Sequence, residues 1–127
     1  MPTAVHGPIE AVSRPELWRV TDRASFQALR RRGRRVRRGP VTVTYLAPDE
    51  RSSTLPPRVA FAVGKATGGA VVRNRVRRRL RAALHELLVA GRLPSGTYLL
   101  GATAVVAQTP WSELLSSLSA TIDEATR

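Results

Sequence analysis

Residues 73–81 carry six arginines in nine positions: Arg73, Arg75, Arg77, Arg78, Arg79 and Arg81. Asn74 sits among them and Lys65 lies eight residues ahead of the first. A guanidinium is a planar fork that can hold two phosphate oxygens at once, and it is weakly hydrated compared with an ammonium. The chemistry this cluster can do is therefore anion recognition rather than bond making. Like charges at helical neighbour spacing destabilise a helix, and the next acid along the chain is Glu86. A helix bearing that cost points to countercharge supplied from outside. Asn74 is a poor helix former that both donates and accepts hydrogen bonds. It can contact a sugar or base, lock neighbouring backbone, or simply be exposed.

Net charge points the same way. The chain has 127 residues and a formal charge of +12. Residues 14–38 hold ten arginines and residues 65–81 seven more basic residues, together 17 of the 21, against two acids, Glu16 and Asp22. Charge placed for solubility is interspersed with the opposite sign; this distribution favours a polyanion, most directly nucleic acid. Cysteine is absent, and His6 and His85 are too few and too far apart for a histidine metal cluster. There are no paired carboxylates and no nucleophile–base set. Residues 64–69 (Gly-Lys-Ala-Thr-Gly-Gly) lack the order of glycines, lysine and hydroxyl that a nucleotide loop needs. The most apolar run, residues 98–107, is ten residues long, short of the roughly 18 of a membrane span. The start of the chain does not read as a signal peptide, so the expected compartment is the cytoplasm.

The elements that must position these groups follow from pattern. Residues 1–13 show no periodicity and contain Pro2, Gly7 and Pro8; they are expected to be a disordered lead-in to a single domain over residues 14–127. A helix is predicted over 22–32, capped by Thr21 and stopped at Gly33, with Phe26 and Leu29 on one face. The run 34–38, basic on every side, reads as solvated loop. Residues 41–46 alternate as a strand with Val41, Val43 and Tyr45 on one face and Thr42, Thr44 and Leu46 on the other. Residues 58–63 form a second strand with Val59, Phe61 and Val63 toward the core. A helix over 70–89 buries Val76, Leu80, Ala83, Leu84 and Leu87, turns Asn74, Arg75, Arg78, Arg81 and His85 outward, and leaves Arg73, Arg77 and Arg79 at the flanks. Residues 98–102 make a third strand, while 103–107 either extend it or form a loop. Thr109 and Pro110 open a last helix that runs to about Ala125. Trp18 and Trp111 read as packing residues. The order is αββαβα, an α+β sandwich with helices on a small sheet.

The stretch 58–63 (Arg-Val-Ala-Phe-Ala-Val), then Lys65, Gly68 and residues 70–81 (Ala-Val-Val-Arg-Asn-Arg-Val-Arg-Arg-Arg-Leu-Arg), resembles the signature of the bacterial ribonuclease P protein. Phe26, Gln27, Leu29, Gly33 and Val36 look like that family's first helix and loop. The resemblance implies a left-handed βαβ crossover around the arginine helix, of the kind seen in the second domain of ribosomal protein S5, against the general right-handed rule. It implies a protein that is not itself the catalyst. A large RNA binds the metal ions and cleaves the substrate, and the protein binds that RNA and the 5′ leader of precursor tRNA. The implied partners are thus the catalytic RNA and precursor tRNA, with no membrane and no obligate protein partner. No cofactor is expected on the protein alone, and Mg2+ enters through the RNA. Lys65, Arg73, Asn74, Arg75, Arg77, Arg78 and Arg81 match the RNA-binding motif. Phe26 matches an aromatic lining the leader cleft, although it can equally be core. Arg30 and Thr44 stand where the family often has further aromatics, and Ala66 where it has a second lysine. With Thr42, these positions imply a cleft that relies less on stacking and more on phosphate contacts and hydroxyls.

Two other classes fit the charge. One is a ribosomal or other structural RNA-binding protein with no part in cleavage. The other is a membrane-surface protein whose cationic helix lies on lipid, which requires the apolar side of that helix to be free.

Overall fold

A computed structural model describes residues 17–127; the lead-in expected over residues 1–13 lies outside them. The elements are β1 (Trp18–Arg19), α1 (Arg23–Arg32), β2 (Arg34–Arg38), β3 (Val41–Leu46), β4 (Arg58–Ala62), α2 (Ala70–Val89), β5 (Thr97–Ala102) and α3 (Trp111–Ala125). Short 3-10 turns at Lys65–Thr67 and Ala104–Ala107 precede α2 and α3. One five-stranded sheet has the order β1-β4-β5-β3-β2. β4 is parallel to β1 and β5, and the β5–β3 and β3–β2 pairs are antiparallel.

Side-chain alternation divides the sheet into two faces. Val36, Val41, Val43, Tyr98 and Leu100 join Val76, Leu80, Leu84 and Leu87 of α2 and Leu114, Leu118 and Ile122 of α3 in one core. α1 lies against the opposite face, over β3 and β5. There Leu29 is fully buried and Gly33 meets Thr44. A Cβ on Gly33 would fall 2.4 Å from the Leu29 carbonyl oxygen and 2.6 Å from the Thr44 methyl. Close approach, rather than a left-handed backbone, is what requires glycine there. Gly96 needs it for both reasons: φ is 138° and a Cβ would fall 2.5 Å from the Tyr45 ring. That turn seats the Tyr45–Tyr98 ring pair, whose centroids are 4.9 Å apart.

Several expectations need correction. The α1 cap is Asp22, not Thr21: its Oδ2 accepts from the Ser25 backbone N–H at 2.8 Å. The basic run after Gly33 is a strand, not a loop. β2 pairs along its length with β3 through the two-residue Gly39-Pro40 turn and buries Val36 at its centre. β1 had no counterpart in the pattern. Phe61 is only half-buried, while Ala60 is buried. Thr109 does not cap α3, whose cap position is Pro110; its hydroxyl donates to the Val105 carbonyl at 2.8 Å. Residues 104–107 form the second 3-10 turn and do not extend the strand.

Candidate nucleic-acid interface

α2 has the predicted bounds, and its predicted apolar face, Val76, Leu80, Ala83, Leu84 and Leu87, is wholly buried. That burial holds the opposite side outward. Asn74, Arg75, Arg78, Arg81 and His85 are exposed, and Arg73, Arg77 and Arg79 are half-buried at the flanks. A helix lying on lipid needs this apolar side free, so the membrane-surface reading loses its physical basis. Among the described residues no helix is long and apolar enough to cross a membrane.

The arginines of α2 are held in place without being neutralised. Ion pairs among the described residues are Arg38–Glu124, Arg58–Asp22 and Arg92–Asp123; none involves α2 between Arg73 and Arg81. Backbone carbonyls and rings do the positioning instead. Arg75 donates through Nε to the Ala107 oxygen at 3.0 Å. Arg79 donates to the Val106 oxygen and, at 2.6 Å, to the Thr109 oxygen. Arg77 donates to the Val63 oxygen at 3.2 Å and to Asn74 Oδ1 at 2.9 Å. Arg81 lies over the Phe61 ring at 5.2 Å. A carbonyl dipole orients a guanidinium while leaving its full charge, so the surface retains its attraction for phosphate. Asn74 is exposed, and its Oδ1 holds the Arg77 side chain rather than neighbouring backbone. Lys65 is exposed at the start of the turn before α2, and that turn is fastened by Thr67, whose hydroxyl donates to the Ala102 oxygen at 3.1 Å.

The four cleft positions are not all gathered in one place. Phe26 lines a groove of about 270 Å3 with Arg19, Val20, Phe61, Arg77 and Arg81, along the edge of β4 where β1 stops. Thr42 and Thr44 lie on β3, across β5 from that groove, on the α1 side of the sheet. Arg30 is exposed on α1, one helical turn from Phe26. Phe26 is half-buried, which suits neither plain core nor a fully open platform.

Arg19, Arg79 and Trp111 line grooves beside the predicted residues, although the sequence pattern did not single them out. Arg79 was legible only as a flank, because the carbonyls it reaches come from the turn before α3, more than twenty residues away. Trp18 and Trp111, expected to pack, are 42% and 37% exposed. Elsewhere, the hydroxyl and backbone N–H of Ser25 hold the Asp22 carboxyl below the usual carboxylate range. Ser52 does the same for Asp49. Burial pushes the Tyr98 hydroxyl well above its ordinary value. No cluster of three or more His, Asp or Glu side chains among the described residues is placed to hold a metal ion.

The family described as Ribonuclease P matches residues 15–126. The Ribonuclease P protein component of Thermobifida fusca is 42% identical over 115 residues, covering 86% of this chain and 74% of that one. The corresponding protein of Micrococcus luteus is 47% identical over 81 residues, 60% of this chain and 59% of that one. The RNase P protein of Staphylococcus aureus has a similar fold, with a TM-score of 0.69 at 20% identity, covering 87% of this chain and 96% of that one.

Proposed function

The chain belongs to the ribonuclease P protein family, and from that premise we propose that it is the protein subunit of the tRNA-processing ribonucleoprotein, acting in the cytoplasm. It binds the catalytic RNA and the 5′ leader of precursor tRNA, and it assists the cut that gives the mature 5′ end. The observation that carries this reading is the α2 surface. Arg75, Arg78 and Arg81 face outward from a helix whose other side is core, and no carboxylate of the described residues pairs with them.

On this reading the protein contributes binding and orientation. Arg73, Arg75, Arg77, Arg78 and Arg81, with Lys65, take phosphates of the catalytic RNA. Asn74 keeps Arg77 in line by accepting its N–H. Phe26, Arg30, Thr42 and Thr44 attend the single-stranded leader, with Phe26 supplying the ring and the others charge or hydroxyls. Cleavage belongs to the RNA, and Mg2+ with it.

Reconstitution tests the proposal. Purified protein added to the catalytic RNA of the same genome should restore precursor tRNA cleavage at low Mg2+ concentration. Unchanged cleavage would leave a structural RNA-binding protein with no part in processing.

A further inference from the structure

The outward side of α2 meets the start of α3 at a groove of about 280 Å3 lined by Arg75, Arg78, Arg79, Ala82 and Trp111. Three features set it apart from the rest of the cationic surface. First, the indole is fixed: Nε1 donates to Glu86 Oε2 at 2.9 Å, and the Arg79 guanidinium lies 5.7 Å from the ring centroid. Second, Arg79 is itself immobilised by the Val106 and Thr109 carbonyls, so ring and guanidinium form a rigid stack. Third, Arg75 is anchored through Nε alone, and Arg78 is exposed without an ion pair among the described residues. Both present donors to whatever enters. Glu86, the carboxylate beside the groove, is engaged with the indole rather than with these arginines.

A fixed, partly exposed indole beside two uncommitted guanidinium forks matches the two halves of a nucleotide. Aromatic side chains stack bases whatever their sequence, and a fork takes phosphate. A duplex offers no free base face, so the match is to an unpaired residue. We propose that Arg75, Arg78, Arg79 and Trp111 form a pocket for one unpaired nucleotide, its base on the indole and its phosphate on Arg75 and Arg78. This rests on the RNA-binding reading above and narrows it to a nucleotide class at a defined place. The nucleotide can come from the catalytic RNA or from precursor tRNA.

Trp18 and Trp111 are the two tryptophans of the chain, so Trp18→Phe leaves Trp111 as a sole reporter. Its fluorescence is followed while this protein is titrated with the catalytic RNA alone, then with precursor tRNA alone. Quenching, with loss of acrylamide access, is expected in whichever arm supplies the nucleotide. Trp111→Leu should weaken binding of that RNA by about 5- to 150-fold, the range for removing one stacked base. Its salt dependence should be unchanged, and Trp111→Phe should recover part of the loss. Emission and acrylamide access unchanged at saturation in both arms would overturn the proposal. So would full affinity of a folded Trp111→Leu protein. If RNA still bound with a steep salt dependence in those cases, the subunit reading would stand and only the pocket would fall; no binding in either arm would remove both.

Discussion

Arg75 and Arg78 keep their terminal nitrogens clear of the protein's own acceptors, so their contribution should be read in salt dependence more than in folding. A side chain that neutralises one phosphate sets about 0.7–0.9 of the log–log slope of affinity against salt. We expect Arg75→Ala and Arg78→Ala each to flatten the slope for the catalytic RNA by that amount, with little change in melting temperature for Arg78→Ala and a small drop for Arg75→Ala, which loses its bond to the Ala107 carbonyl. An unchanged slope would take that side chain out of the interface. Arg79 differs, because its two carbonyl bonds tie α2 to the turn before α3; Arg79→Ala should lower thermal stability as well. Phe26 sits where a charged groove meets the edge of β4. Phe26→Ala should weaken precursor tRNA binding by about 1–3 kcal/mol if the ring stacks one base, with mature tRNA affected less. Equal weakening for both, measured by titration, would assign the ring to packing.

The element that does most for the site, α2, was also the one most legible in the sequence. Its apolar residues recur from Val76 to Leu87, about three turns at the helical period, and both its bounds and its buried face match. β2 was illegible for a physical reason. Four of its five residues are arginines, and only pairing with β3 along the full register gives Val36 a core to enter. Local charge argued for solvent, and the partner strand decided otherwise. β1, two residues long, has no period to read. The site shows the same split. The fan on α2 follows from one helix, whereas the Trp111 groove needs α3 brought beside it. α1 offers two tests at this scale. Leu29 is fully buried, so Leu29→Ala should cost roughly 2–5 kcal/mol in denaturant unfolding. The Asp22 cap has its pKa lowered by the two Ser25 donors. Its contribution should be complete above the unfolded value of about 3.9 and disappear as pH falls through the lower folded value. Asp22→Asn keeps an acceptor for the helix and should remove that part of the acid dependence, read from unfolding between pH 5 and pH 2 as rough limits.

At the scale of the whole molecule, one charge distribution acts on two equilibria with opposite sign. A net charge of +12 on 127 residues makes the folded chain repel itself, because folding brings the guanidinium groups of residues 30–38 and of α2 onto one small body. Ion pairs among the described residues offset this at three exposed or half-exposed sites, each worth little. Added salt shortens the screening length from about 10 Å at 0.1 M to about 3 Å at 1 M. Screening of that range reaches between neighbouring arginines of α2 and relieves the cost of holding them together. The same salt removes the counterion-release gain on binding RNA. We therefore expect the melting temperature of the free protein to rise across that salt range while its affinity for the catalytic RNA falls steeply. The two trends are read by circular dichroism and by filter binding on one preparation. The decisive comparison is between them. If salt lowered both, the three surface ion pairs would outweigh the repulsion among the arginines. If affinity were flat in salt, the arginine surface of α2 would not be meeting phosphate. Opposite slopes are the signature of a surface whose positive charge is balanced only when an external polyanion arrives.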